Sequence, residues 1–256
     1  MSLHNDIKLK QLYDLLPEGV VAPATWFTKH HYSRQLLYKY AQNGWLTKIG
    51  QGLFIRDING IKWQGVVLGL QKLANLPFHI GGITALNLQG FAHYLPLGGE
   101  QQIFLYGTSN PPQWIKNLTI AEQLYFLKKP SFGSSYLKTL PTATRDWSLS
   151  ISTPERALLE MLYLVEKEGI TFEFVAEIFQ GLTTLRPNVL NELLLECNNI
   201  RIRRLFLFLA TYFNHAWFKY IKVDEIYIGK GRMQIVKNGV FEKNYLITVP
   251  KEYSAK

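Results

Sequence analysis

Residues 33–56 read SRQLLYKYAQNGWLTKIGQGLFIR and combine the signals of one helix with those of one β-hairpin. The helix is expected over 33–43, because Ser33 is a favourable N-cap residue and the Asn-Gly pair at the far end is a typical left-handed stop. The following residues predict strands over 45–49 and 53–56, joined by a tight glycine-bearing turn. A DNA-reading helix with such a hairpin behind it is typical of the winged helix-turn-helix.

Two shorter helical segments precede this stretch. Residues 7–16 place apolar side chains at the spacing of a helical stripe, and a Pro-Glu-Gly sequence ends the segment. Residues 24–31 predict a second short helix. Three helices followed by a hairpin therefore predict a winged helix-turn-helix domain over residues 1–60.

The two faces of the helix at 33–43 differ in chemistry. Its inner face carries Leu36, Leu37, Tyr40 and Ala41, which we expect to pack inward. Its outer face carries groups that can donate to phosphates and read base edges, since Arg suits guanine and Gln suits adenine. The predicted contacts to duplex DNA, including those from the hairpin, are Ser33, Arg34, Gln35, Tyr38, Lys39, Gln42, Lys48, Gln51 and Arg56. The competing interpretation is an ordinary solvated helix face.

The remainder, residues 61–256, predicts a larger mixed α/β C-terminal domain, which makes the fold class α+β. Turn-forming residues at 57–60 place the domain boundary near 57–62. A helix is expected at 63–75, a short strand with a glycine turn at 78–82, and a helix at 84–91. Further strands are expected at 102–106, 123–127 and 147–151, and further helices at 154–166, 171–180, 187–196 and 200–216. From residue 225 onward, the pattern predicts a β-meander with strands at 226–228, 234–236 and 245–249.

Composition supports a globular protein of two domains that meets a polyanion. The chain has 256 residues, 47% of them hydrophobic, and a net charge of +9. Its positive charge lies at the two ends, with +3 over residues 1–60 and +7 over residues 200–256. The single cysteine excludes an intramolecular disulfide, and no apolar run approaches the roughly 20 residues of a membrane span. We therefore expect a cytoplasmic protein without a membrane segment.

The C-terminal basic residues form a second, weaker candidate surface. If they lie together, they would contact nucleic acid or take part in neutralising a toxin. These residues are Arg201, Arg204, Lys230, Arg232 and Lys237. The alternative is that the charges disperse over the surface and bind nothing.

No catalytic constellation, cofactor motif or metal-ligand spacing is found in the sequence. Cys197 lacks the context of a nucleophile, and the histidines lack helical metal spacing. The acidic residues at 146–168 are the one arrangement that could serve a magnesium-dependent nuclease. We expect them instead to have surface or capping roles, with Arg156 pairing Glu160 at the four-residue helical interval.

Several of these segments resemble the AbiEi family of type IV antitoxins. The resemblance covers nearly the whole chain and includes the hairpin GWLTKIGQGLF at 44–54, IGGITAL at 80–86 and HYL at 93–95. Its most specific element is STPERALLE at 152–160, and it continues through GKGRMQIV at 229–236 and ITVP at 247–250.

This resemblance implies a repressor rather than an enzyme. Such proteins bind repeats in their own promoter through the winged helix and counteract a nucleotidyltransferase toxin from the same operon without forming a stable complex with it. The C-terminal domain is then the part associated with neutralisation. Two alternatives stay open: a nuclease or nucleic-acid-modifying enzyme targeted by a winged helix, and a ligand-sensing repressor. The sequence leaves the operator, the toxin and the oligomeric state undetermined.

Overall fold

A computed structural model describes residues 3–56, 60–91, 101–128, 135–142 and 147–254. Contacts divide the chain into two compact units. Unit 1 comprises Met1–His79, Pro96–Phe126 and Thr139–Ser150, and unit 2 comprises Ile80–Leu95, Leu127–Lys138 and Ile151–Lys256. The expected linker residues Asp57, Ile58 and Asn59 lie outside the described residues, and the boundary near 57–62 stays a prediction.

The N-terminal part of unit 1 consists of helices and a small sheet. Its helices are α1 (Leu3–Leu15), α2 (Ala24–Lys29) and α3 (Arg34–Gln42). Its strands are β1 (Ala22–Pro23), β2 (Thr47–Gly50) and β3 (Leu53–Ile55), which form an antiparallel sheet in the order β1-β3-β2. The sequence predicted all of these elements except β1.

Local sequence explains why α3 begins and how it is held. Ser33 is the N-cap residue, and its Oγ accepts a hydrogen bond from the Leu36 backbone N–H at 3.2 Å. Aromatic rings pack beneath it: Phe27 of α2 lies edge-on to Tyr32 and to Phe54 of β3, and Tyr32 lies edge-on to Tyr40 of α3. This packing connects α2, α3 and the hairpin of β2 and β3.

The next helix of unit 1 lies close to the backbone of the N-terminal segment. Helix α4 (Trp63–Leu68) continues as one π-helical turn over Gly69–Leu73. Glycine is required at two positions, because a Cβ on Gly65 would lie 1.8 Å from the Gly19 carbonyl oxygen and one on Gly69 would lie 2.1 Å from that of Val21. The expected helix at 63–75 is therefore present, with a changed hydrogen-bond pattern in its second half.

The largest sheet of the described residues has five strands. It comprises β4 (His79–Ile80), β5 (Gln102–Gly107), β6 (Gln123–Lys128), β7 (Leu137–Pro141) and β8 (Ser148–Ser152), in the order β6-β5-β4-β8-β7. Strands β4 and β8 run parallel, with Ile80 opposite Ile151. The sequence predicted four of these strands and missed β7.

Unit 2 is built on helices with a buried apolar core. Its helices are α5 (Gly82–Leu88), α6 (Pro154–Tyr163), α7 (Phe172–Gly181), α8 (Pro187–Glu196) and α9 (Ile200–Phe213). A hairpin of β9 (Val240–Glu242) and β10 (Ile247–Val249) follows. Short 3-10 helices cover Gln113–Asn117 in unit 1 and Phe218–Tyr220, Val223–Glu225 and Lys251–Tyr253 in unit 2. Within the described ranges, every helix is too short or too polar to traverse a bilayer.

A buried carboxylate joins three segments of unit 2. The side chain of Glu160 in α6 is 0% exposed and pairs with Arg156, whose Nε lies 2.8 Å from Oε1. Its Oε2 accepts hydrogen bonds from the Ser152 Oγ at 2.7 Å and from the Gly82 backbone N–H at 3.1 Å. Arg156 also donates from Nη1 to the Ser135 carbonyl at 2.7 Å. The predicted pairing of Arg156 with Glu160 is confirmed. Of the two roles expected for the acidic residues, surface or capping, Glu160 has the second, because it is buried and accepts the first N–H of α5.

The neighbouring carboxylate has a capping role at a distant helix. Glu155 is 2% exposed, and its Oε1 accepts the backbone N–H of Arg186, the N-cap residue of α8, at 3.1 Å. The Arg186 guanidinium adds two bonds of 2.8 Å. Burial acts to raise the pKa of Glu155, but the bonds from Arg186 and the backbone outweigh it and bring that pKa below its usual value.

The expected β-meander at the C-terminus is wrong in two of its three strands. Residues 226–228 and 234–236 are not strands, and β10 pairs instead with β9, which the sequence placed in a turn. The physical reason is that side chains form hydrogen bonds with backbone groups that would pair with one another in a meander. Arg204 donates to the Ile228, Gly231 and Leu246 carbonyls. The Thr248 Oγ1 accepts the N–H groups of Ile235 and Val236.

We predict that Glu160→Gln lowers the free energy of unfolding by about 3–5 kcal/mol, because Arg156 is left as a buried charge without its counter-charge. Denaturant unfolding at pH 7 measures the change. The matched control is Glu225→Gln, which removes the exposed partner of Lys222 and should cost less than about 1 kcal/mol. Equal effects of the two substitutions would contradict the role given to Glu160.

Candidate nucleic-acid interface

The outer face of α3 is exposed as the sequence predicts. Arg34, Gln35, Tyr38, Lys39 and Gln42 are all exposed, and they occupy adjacent stripes of the helix. Among the described residues, the side chains of Arg34, Gln35, Lys39 and Gln42 make no hydrogen bond or ion pair. Their donors are therefore available to a molecule that approaches this face.

The inner face of α3 is buried at its centre, as expected, and only partly buried at its sides. Leu37 and Tyr40 are buried, whereas Leu36 and Ala41 are half-buried. The Tyr40 ring packs edge-on against Trp45 at 5.3 Å, just beyond the helix end. Burial of this stripe orients the polar residues of α3 toward solvent.

Tyr38 links the helix to the hairpin. Its ring lies edge-on to Phe54 of β3, with centroids 6.3 Å apart, and the Lys48 Nζ of β2 lies 5.1 Å from its centroid. Gln51 is exposed in the turn between the strands, where Gly52 adopts a left-handed φ of 68°. The structure thus places Lys48 beside Tyr38 of α3. We call the predicted contact residues of α3, its N-cap and the hairpin the α3 face: Ser33, Arg34, Gln35, Tyr38, Lys39, Gln42, Lys48 and Gln51.

The charge of this region has one sign. Residues 19–56 contain five Lys and Arg residues and neither Asp nor Glu. No carboxylate of this segment therefore competes for the cations of the α3 face. A region of this composition attracts a polyanion and repels a basic protein surface.

Arg56 is used differently from the other predicted residues. Its Nη1 donates to the Tyr13 carbonyl at 2.9 Å and to the Leu16 carbonyl, and its guanidinium lies 3.7 Å from the centre of the Tyr13 ring. Burial lowers its pKa, against the opposing effect of Tyr13, Glu18 and Asp14. Arg56 thus satisfies carbonyls at the end of α1 and is not part of the α3 face.

The five predicted C-terminal cations occupy three different environments. Arg204 is 1% exposed and donates to backbone carbonyls in the segment where a β-meander was expected. Lys230 and Arg232 are exposed, the latter with its guanidinium 4.4 Å from the Phe241 ring centre. Arg201 and Lys237 line one cavity of unit 2.

Sequence reasoning missed Lys167, which lines the same cavity as Arg201 and Lys237. It lies just beyond α6, in the middle segment of the chain where the net charge is slightly negative, so its local sequence gave no signal. Only the folded arrangement brings it beside residues more than thirty positions away.

Two side chains of the types considered for catalysis, Cys197 and His215, are buried. Cys197 is buried, which raises the pKa of its thiol. His215 is buried against Trp217, its Nε2 lies 3.0 Å from the Phe179 carbonyl, and burial lowers its pKa. Across the described ranges, no group of three or more His, Cys, Asp or Glu residues is placed to hold a metal ion.

Comparison with known proteins covers both parts of the chain. A family model described as "Transcriptional regulator, AbiEi antitoxin N-terminal domain" matches residues 5–97. A second, described as "Transcriptional regulator, AbiEi antitoxin, Type IV TA system", matches residues 100–250. No curated protein shows a significant match to the chain. The crystal structure of the RV2827C protein from Mycobacterium tuberculosis is similar in fold, with a TM-score of 0.58 and 12% identity over 93% of this chain and 88% of that one.

We predict that Arg56→Ala lowers the free energy of unfolding by about 1.5–3 kcal/mol, since charge-assisted bonds to two carbonyls are lost. Arg34→Ala is the matched control and should change stability by less than about 0.5 kcal/mol, because Arg34 is exposed. Denaturant unfolding of both variants makes the comparison. Wild-type stability in Arg56→Ala would return this residue to the candidate interface.

Proposed function

The chain belongs to the AbiEi family of transcriptional regulators and antitoxins of type IV toxin–antitoxin systems, and from this premise we propose that it represses its own operon by binding duplex DNA through the α3 face. The helices α1–α3 with the hairpin of β2 and β3 are interpreted as a winged helix-turn-helix. In this arrangement α3 enters the major groove and the hairpin lies beside it as the wing.

The observation that carries the proposal is the set of unpartnered donors on α3. Arg34 and Gln35 are in its first turn, which is the part of a recognition helix that contacts base edges. Both are exposed and make no bond within the described chain. A guanidinium suits the O6 and N7 atoms of guanine, and an amide suits the N6 and N7 atoms of adenine.

The remaining cations of the α3 face suit phosphates. Lys39 lies near the end of α3 and Lys48 lies on β2, and a lysine ammonium acts as a point charge toward a phosphate. The Ser33 hydroxyl already accepts a backbone N–H, but its own proton is available for donation to a phosphate oxygen. These residues would fix the position of α3 without reading sequence.

We predict that Arg34→Ala weakens operator binding by about 1–3 kcal/mol and relaxes preference at one base pair, because a bidentate base contact is lost. Lys39→Ala should instead weaken binding to all sequences and reduce the slope of affinity against salt by about one phosphate contact. Gel-shift titrations on promoter DNA and on scrambled DNA at several salt concentrations measure both effects.

The control is Lys72→Ala, which removes an exposed lysine of unit 1 outside the α3 face. Its operator affinity should equal that of the wild type. If Arg34→Ala keeps both the affinity and the sequence preference of the wild type, α3 is not the reading element. Magnesium-dependent cleavage of the same DNA would favour the nuclease alternative over a repressor.

For the antitoxin activity, we propose that the C-terminal domain counteracts a nucleotidyltransferase toxin of the same operon without a stable complex. The pair Lys230 and Arg232 is the exposed part of the predicted basic face that does not line the cavity of unit 2. Lys237 is set apart because it lines a cavity, and Arg204 is set apart because it is enclosed.

We predict that the double substitution Lys230→Glu with Arg232→Glu abolishes rescue of cells from the coexpressed toxin and leaves promoter affinity unchanged. The control is Lys219→Glu with Lys251→Glu, which reverses two exposed charges elsewhere in unit 2 and should preserve rescue. Loss of promoter binding alone would make the pair an accessory DNA contact. Full activity in both assays would show a surface without a role in neutralisation.

A further inference from the structure

Three cations of unit 2 meet around one cavity. The cavity has a volume of about 500 Å³ and is lined by Lys167, Arg201 and Lys237, with Glu166 and Gln234 among the other lining residues. We call it the basic cavity. Its volume falls within the range of small-molecule sites, and its charged side chains carry a net charge of +2 at neutral pH.

The protein itself neutralises little of this charge. Among the described residues, neither Lys167 nor Lys237 forms an ion pair. The one carboxylate of the cavity, that of Glu166, already accepts the Phe172 backbone N–H at its Oε1, at 3.0 Å. The carboxylates of Glu166, which acts on Arg201, and of Glu168, which acts on Lys167, thus offset only part of the charge of the three cations.

Arg201 has a donor without an acceptor. Its Nη2 donates to the Val165 carbonyl at 2.7 Å, which fixes the guanidinium, but its Nε is buried and has no hydrogen-bond partner. A buried donor of a charged group left without a partner costs free energy, of the order of 1–3 kcal/mol or more in proteins.

Lys167 is held in an unfavourable position for a cation. Its Nζ lies 3.6 Å from the centre of the Tyr163 ring, which favours the charge, but burial and then repulsion from Arg201 lower its pKa against the opposing effect of Glu168. An anion placed between these groups would remove the repulsion. Like charges kept together in this way are typical of sites that bind an anion.

We propose that the basic cavity binds the dianionic phosphate group of a small molecule. A phosphate dianion matches the net charge of +2, and its oxygens suit both the fork of Arg201 and the point charges of Lys167 and Lys237. The remaining volume admits a phosphorylated compound up to about the size of a mononucleotide. This site lies within unit 2 and does not depend on operator binding by the α3 face.

The test is isothermal titration calorimetry of the full chain with inorganic phosphate at constant ionic strength. The wild type is expected to bind saturably, and Lys237→Gln should bind roughly tenfold more weakly because one charge-assisted bond is lost. Lys237 is exposed, so its substitution leaves the fold intact. Arg201→Gln should bind more weakly still, and its far-ultraviolet circular dichroism reports whether it folds.

The matched control is Lys243→Gln, an exposed lysine of unit 2 that does not line the cavity, and it should bind phosphate as the wild type does. Equal losses in Lys243→Gln and Lys237→Gln would overturn the proposal. So would the absence of saturation below about 10 mM phosphate. A second titration uses a single-stranded oligonucleotide without a terminal phosphate: if it binds in a Lys237-dependent manner while phosphate does not, the cavity follows a nucleic-acid backbone and the proposed site is wrong.

Discussion

The buried carboxylate of Glu160 is the constraint on which unit 2 depends. A carboxylate with no exposed surface is stable only when its oxygens receive enough hydrogen bonds to replace water, and here the donors are Arg156, Ser152 and the Gly82 backbone. These donors belong to the start of α6, the end of β8 and the start of α5. One side chain therefore fixes the positions of a strand and two helices relative to one another. Each of these elements has to supply its hydrogen-bond donor, because they share the one buried carboxylate charge.

The sequence predicted the local half of this arrangement. Thr153 before Pro154 and the acidic residue after it indicate a helix start, and the four-residue interval indicates the pair of Arg156 with Glu160. The other half was not predictable, since Gly82 lies 78 positions from Glu160 and its donor is a backbone N–H that every residue type but proline supplies. The burial of Glu160 was not predictable for the same reason, because burial depends on the segments that cover a helix and not on the residue spacing within it.

The candidate DNA interface was more accessible to sequence reasoning than the C-terminal sites were. An amphipathic helix shows its exposed face through its own period, and the polar stripe of α3 lies where that period places it. Arginine in a loop or on a mainly buried helix gives no such signal. Arg56 and Arg204 read as surface cations, yet each uses its guanidinium to satisfy backbone carbonyls. Lys167 shows the opposite error, since a residue in an almost neutral segment becomes part of a cationic cavity only after folding.

These assignments change the meaning of the net charge. The +7 of residues 200–256 first suggests a broad basic surface, but Arg204 is enclosed and Arg203 donates to the Leu194, Leu195 and Tyr227 carbonyls. The arginine guanidinium carries five N–H donors fixed on a planar group, which suits it to bind several carbonyls at once. A lysine ammonium is more readily left to solvent or to a ligand. In this chain arginines of the C-terminal excess donate to carbonyls of loops and of the last turn of α8, and the exposed and cavity-lining lysines supply much of the charge open to a partner. Net charge thus indicates that a polyanion is attracted, and the hydrogen bonds of each cation decide where it can bind.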